Sequence, residues 1–185
     1  MVANLEATIE DLYAVRGKAE IVNGEIVQMS PTGAAPSYAP GEIFVSLRNY
    51  SRQTKKGHAV ADNAAFRVDL PNRKSFSPDV AYHVGKWTGM KFFEGAPVFA
   101  VEVRSEGDYG PAAETAMARK RGDYFAAGTL VVWDVNLLSG DVIKCYRADS
   151  RAEPRAFGRD QIADAEPAVP GWSMQVNDLF VDQES

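Results

Sequence analysis

The chain has 185 residues, of which 45% are hydrophobic and 24% are charged. These fractions are those of an ordinary globular protein and exclude a disordered or fibrous one. The length suits one domain, residues 1–185, with a full core, and no apolar stretch approaches the roughly 20 residues that span a bilayer. Because the first residues lack the basic start and apolar run of a signal peptide, we expect a cytoplasmic protein.

The charge is acidic overall but unevenly distributed. A formal net charge of -5 argues against generic, tight binding to nucleic acid, which depends on neutralising phosphates. Between Ile43 and Ala61, however, there is no acid and the basic residues are Arg48, Arg52, Lys55 and Lys56, whereas residues 160–185 contain no Lys or Arg. One basic surface is therefore compatible with the acidic total, although a solvated helix face is the preferred interpretation of the basic run alone.

Several site types are disfavoured by composition. The chain has one cysteine, Cys145, and two histidines, His58 and His83, so a zinc site of the Cys/His type is nearly excluded. Cys145 lies in an alternating run, which predicts a strand residue in a reducing compartment. Neither a P-loop nor a Gly-x-Gly-x-x-Gly pattern nor a Gly-x-Ser-x-Gly elbow is present.

The N-terminal part predicts a helix, a hairpin and a second helix. The expected elements are a short helix from Thr8 to about Val15, strands at 19–22 and 25–29, a loop, and a helix from about Gly41 to Lys56. Thr8 and Asp11 have capping-box spacing, and Asn23-Gly24 is a strong signal for a hairpin turn.

The remainder of the chain alternates strands with one further helix. We expect a long strand at 59–70, a polar turn at 71–74, strands at 77–84 and 97–103, a helix at 111–127, strands at 130–135 and 142–147, and a helical turn near 177–181. Gly128 is placed to end the helix. The strand, helix and strand from 97 to 135 form a β-α-β unit, which predicts an α/β (α+β) fold with a mixed sheet flanked by helices.

Two of the predicted strands carry an acid among apolar residues. Asp79 and Glu102 supply hard oxygen ligands that suit a divalent cation, with water or a phosphate completing its shell. The helix returns over the Glu102 strand, so Lys120 can approach Glu102 and stabilise charge on a phosphate. The spacing fits a metal-dependent phosphodiesterase, but acids at strand ends also serve as caps or ion-pair partners.

The chain resembles the PD-(D/E)XK nuclease superfamily and, within it, the Uma-two family of restriction endonuclease domains. The resemblance covers nearly the whole chain and is carried by residues 20–27, 29–33, 67–68, 78–79, 102–105, 120–128, 142–147, 170–172 and 178–180. It implies a restriction-endonuclease-like fold with an N-terminal β-hairpin. It also implies that Asp79 and Glu102 hold Mg2+, or alternatively Mn2+, and that Lys120 takes the place of a lysine that many members carry on the acidic strand.

The sequence differs from many superfamily members at one position and from the family pattern at two. Arg104 stands where many superfamily members have the lysine. Because a guanidinium stays charged, Arg104 cannot act as a proton donor and acceptor. Pro40 stands where relatives usually have a histidine, and Asn136 where they often have an acid. Pro40 and Asn136 favour a nuclease-fold module with little or no turnover.

Further residues are weaker candidates. Accessory roles are considered for Glu20, Glu42, Arg104 and Ser105, and a surface carboxylate is the preferred interpretation of Glu20 and Glu42. Contacts with DNA are considered for Arg48, Arg52, Lys55 and Arg67. The aromatic residues Trp87, Phe92 and Phe93 could stack on a base, but a core lid or a dimer contact is the preferred interpretation.

Three functions follow from these observations. The leading hypothesis is an endonuclease that hydrolyses DNA phosphodiester bonds as a homodimer, which suits cleavage of both strands of a duplex. The alternative is a catalytically weak or inactive nuclease-fold module for binding or assembly. A two-carboxylate glycoside hydrolase ranks below both, because it explains neither Lys120 nor the predicted fold.

Overall fold

The structure, a computed structural model, describes residues 6–181. Its helices are α1 (Ile9–Ala14), α2 (Ala34–Thr54), α3 (Pro111–Ala126) and a final 3-10 helix (Val176–Leu179). The first strands are β1 (Ala19–Val22), β2 (Glu25–Gln28), β3 (His58–Val60), β4 (Phe66–Leu70), β5 (Arg73–Phe76) and β6 (Val80–His83). The later strands are β7 (Phe93–Glu94), β8 (Phe99–Val103), β9 (Val131–Val135), β10 (Ile143–Arg147), β11 (Ser150–Phe157), β12 (Ile162–Asp164) and β13 (Ser173–Gln175).

The strands form two main sheets and one small ribbon. A five-stranded sheet has the order β2-β1-β5-β4-β7, and a six-stranded sheet has the order β11-β10-β9-β8-β6-β3. Both sheets are mixed, because β7 runs parallel to β4 and β9 runs parallel to β8 while the other pairs are antiparallel. The prediction of mixed α+β architecture with helices on a mixed sheet is confirmed.

The six-stranded sheet is buried on both faces. On one face, Val101, Trp133 and their neighbours pack with Ile43 and Leu47 of α2. On the other face, small residues such as Ala100 pack with the α3 residues Tyr124 and Phe125 and with the five-stranded sheet. Since successive strand residues point to opposite faces, Glu102 lies on the same side of β8 as Ala100, facing α3. The half-buried carboxylate of Glu102 thereby lies beneath a helix.

The local signals at the ends of elements are confirmed. Thr8 and Asp11 form the capping box of α1 with both reciprocal hydrogen bonds, and Asn23 and Gly24 adopt positive φ in the hairpin turn. Gly128 has a φ of +103° just after α3, a conformation in which a residue with a side chain would be strained. The β8-α3-β9 crossover joins two parallel strands as predicted.

Helix α2 begins at Ala34, earlier than the predicted start near Gly41. The prediction was wrong because residues 34–40 contain two prolines, which are typical of loops. Pro36 lies in the first turn, where a missing N–H costs little. Pro40 lies inside the helix and is buried, so packing outweighs its poor helix propensity.

The predicted long strand at 59–70 is also wrong. The segment divides into β3 and β4, which belong to different sheets. Asn63, between them, adopts a φ of +66°, and its N–H donates to Asp62 Oδ1 at 2.7 Å. These residues form a local turn that ends the extended conformation. Strand β5, predicted in part as a turn, and strands β7, β11, β12 and β13 were not predicted. Within residues 6–181, no helix is both long and apolar enough to traverse a lipid bilayer.

Candidate functional site

The chain crosses from one main sheet to the other just before β6, and this crossing places Asp79. Strand β5 belongs to the five-stranded sheet and β6 to the six-stranded sheet. The Asp79 backbone N–H donates to the Val101 carbonyl at 3.1 Å, and Asp79 Oδ2 accepts the Val103 N–H at 2.7 Å. These two hydrogen bonds fix the Asp79 carboxylate beside β8, the strand that carries Glu102.

Glu102 is held by two groups of α3. The Tyr124 hydroxyl donates to Oε1 at 2.6 Å, and Lys120 Nζ donates to Oε2 at 2.8 Å. Tyr124 is fully buried and stacks on Phe76 with ring centroids 4.0 Å apart, so its hydroxyl has a fixed position. The structure thus brings Lys120 next to Glu102, as the β-α-β unit predicted.

Glu20 is a central residue of the cluster, and its interpretation as a surface carboxylate is wrong. It lies on β1 and is only 3% exposed. Its Oε1 is 2.9 Å from Lys120 Nζ and accepts the Ser77 N–H at 2.8 Å, while Oε2 accepts from Arg73 Nη1 at 2.5 Å. Lys120 therefore lies between Glu20 from one sheet and Glu102 from the other.

Arg73 extends the cluster to the end of α3. It is 5% exposed on β5, and its Nε donates to Asp123 Oδ2 at 2.9 Å. The other Asp123 oxygen accepts from Asn72 Nδ2 at 2.9 Å. Because Arg73 contacts Glu20 as well, one guanidinium connects α3 with two neighbouring strands of the five-stranded sheet.

A second lysine, Lys18, contacts Asp79. Its Nζ is 2.5 Å from Asp79 Oδ1 and 2.7 Å from Asp62 Oδ1. Its side chain is 16% exposed, whereas that of Asp62 is 57% exposed. Lys18 immediately precedes β1, so the same short segment supplies a cation at 18 and an acid at 20.

The acids and cations of the cluster shift one another's pKa values. Burial raises the pKa of Glu102 above its usual value, and the charges of Asp79 and Glu20 add to this effect, while Lys120 and Lys18 oppose it. For Glu20, burial acts in the same sense, but the charges of Lys120 and Arg73 outweigh it and lower the pKa. Glu102 is consequently the weaker acid of the two glutamates that face Lys120.

Both site lysines remain cationic at neutral pH. Burial disfavours the charged form of Lys120, but the carboxylates of Glu102 and Glu20 outweigh it and raise the pKa. For Lys18, burial is likewise outweighed, chiefly by Asp79 and Glu102, and the pKa is raised. Burial and the neighbouring carboxylates also raise the pKa of the Tyr124 hydroxyl, which therefore stays protonated as a hydrogen-bond donor.

Arg104 and Ser105 take part in other contacts. Arg104 donates to Asp134 from Nε at 2.8 Å and from Nη2 at 2.9 Å, and it also bonds to Glu114 on α3. Arg121 approaches the same Asp134 at 3.1 Å. The Ser105 hydroxyl donates to Asp108 at 2.8 Å and closes a loop. Arg104 is thus a structural ion-pair partner, and the hydroxyl of Ser105 belongs to the loop rather than to the carboxylate cluster.

The other candidates lie apart from the acids. Glu42 is half-buried on α2, and no hydrogen bond or ion pair joins it to the cluster among the described residues. The basic residues Arg48, Arg52 and Lys55 are exposed along or at the end of α2, and Arg67 is exposed on β4, 3.6 Å from Glu94. Asn136 accepts the Leu138 N–H at 3.0 Å within a turn, so it serves the loop after β9.

Two concavities differ in their relation to the cluster. A cavity of about 30 Å³ lies against Glu102, Lys120 and Tyr124, with Met117, Arg121, Val132 and Asp134 completing its wall. A wide cleft of about 830 Å³ lies between the start of α2 and residues 179–181, and none of its lining residues within 6–181 is an acid. The carboxylate cluster is therefore associated with the smaller space.

The chemistry of the donor set fits a hard divalent cation. Mg2+ is commonly bound by one or two carboxylates, with water and substrate oxygens supplying the other ligands. Asp79 and Glu102 provide two such groups, and both act on the ammonium of Lys18, which shows that their field favours positive charge. Among residues 6–181, no group of three or more Asp, Glu, His or Cys side chains is arranged to hold a metal ion. Asp79 and Glu102 therefore suit a divalent cation that keeps most of its coordinated water.

Comparison with known proteins gives the family. The sequence profile of Uma2, described as "Putative restriction endonuclease", matches residues 8–177. The chain belongs to the Uma2 family. Among curated protein sequences, none matches the chain significantly.

A solved structure has the same fold. It is the crystal structure of "a putative nuclease belonging to DUF820" from Anabaena variabilis, with a TM-score of 0.73, 16% sequence identity, and coverage of 94% of this chain and 97% of that chain. At this identity the likeness concerns the fold alone, and the fold predicted from the resemblance is confirmed. Family membership supports a nuclease.

Sequence reasoning missed several members of the cluster. Tyr124, Lys18, Arg73 and Asp123 were not among the predicted site residues. Lys18 and Arg73 had no signal in their own neighbourhood, because their partners are 44 to 61 positions away in the chain. The spacing of Lys120 and Tyr124 by four residues places both on one helix face and could have suggested a shared partner.

Proposed function

We propose that this protein is a metal-dependent endonuclease that hydrolyses DNA phosphodiester bonds at the cluster of Asp79, Glu102 and Lys120. One observation supports this above all: Lys120 Nζ on α3 lies 2.8 Å from Glu102 of β8, and a second acid, Asp79, is fixed beside the same strand. This is the combination of hard oxygen ligands and a cation that phosphodiester hydrolysis requires.

Asp79 and Glu102 would hold Mg2+ or, alternatively, Mn2+. The bound ion would acidify a water molecule and polarise the phosphate. Asp79 is oriented by the Val103 N–H, and Glu102 by the Tyr124 hydroxyl, so both carboxylates are held in position before any ligand arrives. Orientation of the ligands by neighbouring donors is a common requirement of metal sites.

Lys120 acts in this proposal as a fixed positive charge. Its raised pKa keeps it protonated, so it does not remove a proton from water at neutral pH. Its ammonium instead stabilises the negative charge that develops on the phosphate in the transition state. Glu20 positions this ammonium from the second sheet at 2.9 Å, and Arg73 in turn holds Glu20.

DNA binding and dimerisation complete the proposal. The exposed residues Arg48, Arg52, Lys55 and Arg67 would contact backbone phosphates outside the acidic cluster. Trp87 is 65% exposed, whereas Phe92 stacks on Tyr13 and Phe93 stacks on Phe66 within the protein. Trp87 is therefore the aromatic residue best placed for a contact in a two-fold dimer.

Cleavage assays test the proposal directly. Supercoiled and single-stranded DNA are incubated with Mg2+ or Mn2+ and the wild type, Asp79→Ala, Lys120→Ala or the control Lys74→Ala. Lys74 pairs with the exposed Asp69 at 2.6 Å, away from the cluster, so its loss controls for removal of a lysine charge. We expect cleavage by the wild type and the control only. An inactive wild type, or full activity of both site variants, would contradict the proposal.

A second candidate is a binding or assembly module with negligible turnover. It is favoured by the engagement of all four carboxylate oxygens of Asp79 and Glu102 with protein donors, namely Lys18, Val103, Lys120 and Tyr124. In that case labelled duplex DNA would bind the protein in anisotropy titrations but would not be cleaved, whichever metal is present. Binding that is accompanied by metal-dependent cleavage would exclude this candidate.

A further inference from the structure

Lys18 has no role in the function proposed above, yet it contacts a proposed metal ligand. Its Nζ lies 2.5 Å from Asp79 Oδ1, the oxygen of Asp79 that is not bonded to the backbone of β8. The second partner, Asp62, lies in the turn between β3 and β4 at 2.7 Å. The ammonium thus bridges an inner acid and an outer acid.

The two partners of Lys18 differ in exposure. The Asp79 side chain is 20% exposed, whereas the Asp62 side chain is 57% exposed. A lysine side chain is long and flexible, and its ammonium is a compact charge that can exchange partners by rotation. Lys18 can therefore release Asp79 while it keeps Asp62, and its charge then moves toward solvent.

We propose that Lys18 is an internal counter-cation of the divalent-metal site: its ammonium neutralises Asp79 when no metal is bound and must leave Asp79 Oδ1 when a metal ion binds. Asp62 is the acceptor that retains the displaced ammonium. This inference depends on the proposed function, because it takes Asp79 and Glu102 as the metal ligands.

The expected consequence is competition between Lys18 and the metal. A metal ion and an ammonium cannot both occupy the contact position on one carboxylate oxygen, and their like charges repel at close range. Glu20, Asp79 and Glu102 place three formal negative charges in the cluster, and Lys18 offsets part of their field. Removal of the Lys18 charge therefore strengthens metal binding, although an ordinary phosphate-binding lysine would leave it unchanged.

Metal binding is measured by isothermal titration with Mn2+ and Mg2+ in the absence of DNA. The proteins are the wild type, Lys18→Met, Lys18→Gln and the matched control Lys74→Met, whose lysine also pairs with one aspartate. We expect about tenfold tighter binding in both Lys18 variants, equivalent to about 1.4 kcal/mol, and no change in the control. Circular dichroism verifies the fold, and the glutamine variant serves if the methionine variant does not fold.

Reductive methylation of the wild type gives an independent readout. Lys18 is expected to react slowly without metal and several-fold faster with saturating Mn2+, because its ammonium moves toward solvent. Lys74 provides the internal reference, since it pairs with the exposed Asp69 and contacts neither proposed metal ligand. Modified lysines are identified by peptide mass spectrometry.

The outcomes separate the inference from the proposed function. Tighter metal binding by the Lys18 variants, with faster labelling of Lys18 in the wild type, supports the inference. Equal or weaker binding by those variants overturns it, while the metal site itself stands. If neither the wild type nor any variant binds Mn2+ or Mg2+, the metal site of the proposed function fails and the inference fails with it.

Discussion

The replacement Arg73→Met tests whether the buried ion-pair network holds the two sheets and α3 together. Arg73 is 5% exposed and contacts two carboxylates, Glu20 at 2.5 Å and Asp123 at 2.9 Å. Methionine fills much of the same space but leaves both carboxylates with one cation fewer. Removal of one partner from a buried pair typically costs about 3–5 kcal/mol. Since Glu20 keeps Lys120 and Asp123 keeps Asn72, we expect about 3 kcal/mol, the lower end of this range.

The free energy of unfolding is measured by urea denaturation at neutral pH, followed by tryptophan fluorescence. Trp133 and Trp172 are buried and report on the core. Arg67→Met is the matched control, because Arg67 lies on the adjacent strand β4 and pairs with the exposed Glu94 at 3.6 Å. The control should lose less than about 1 kcal/mol, as exposed ion pairs do.

The double variant Arg73→Met/Glu20→Gln makes the test specific. If Arg73→Met is destabilising because it leaves the charge of Glu20 uncompensated, neutralising Glu20 recovers part of the lost free energy of unfolding. The cost of the double variant is then smaller than the sum of the two single costs by about 1 kcal/mol or more. A loss below about 1 kcal/mol in Arg73→Met, or strict additivity in the double variant, would refute the assignment of this network as the connection between the sheets.

Two further predictions concern Glu102. Tyr124→Phe removes the hydroxyl that donates to Glu102 at 2.6 Å and should lower the free energy of unfolding by about 1.5–3 kcal/mol, the usual range for a hydrogen bond to a charged group; an unchanged urea midpoint would contradict this contact. Burial raises the pKa of Glu102 above 4.5, so the contribution of Glu102 to the stability of the wild type falls as pH rises above that value, and Glu102→Gln lacks this contribution. Urea denaturation should therefore show that the Glu102→Gln variant gains stability relative to the wild type from about pH 5 to about pH 7. If the difference in unfolding free energy between the two proteins is the same at both pH values, the raised pKa is contradicted.

The elements with local signals were predicted well, whereas the division into sheets was not. The α1 cap, the Asn23-Gly24 turn and the end of α3 each depend on contacts within a few residues, and all three are present in the structure. In contrast, the separation of β3 from β4 depends on a turn at Asp62 and Asn63 inside an otherwise strand-like segment. Strand β5 exists because it pairs with β1 and β4, partners that a reading of neighbouring residues does not include.

The candidate site shows the same limit. Lys120 and Glu102 were placed together because the handedness of a β-α-β crossover determines where the helix lies. No such rule brought β1 to this position, so Glu20 was misinterpreted as a surface acid and Lys18 was missed. Glu20 lies on β1 of the five-stranded sheet, and Lys18 directly precedes that strand. Their partners Lys120 and Asp79 come from α3 and from the residue before β6.

The carboxylate cluster serves stability and the proposed chemistry through the same residues. Glu20 shares Lys120 with Glu102, and through Arg73 it also joins the five-stranded sheet to α3. A Glu20→Gln variant could therefore lose cleavage because Lys120 moves or because the junction loosens. The two causes differ in their readouts: a displaced Lys120 lowers cleavage with little loss in unfolding free energy, whereas a loosened junction lowers both. Asp79 is held by the β8 backbone rather than by Glu20 or Arg73, so neither cause is expected to move Asp79. Cleavage measured alongside the free energy of unfolding therefore distinguishes a positioning role of Glu20 from a purely structural one.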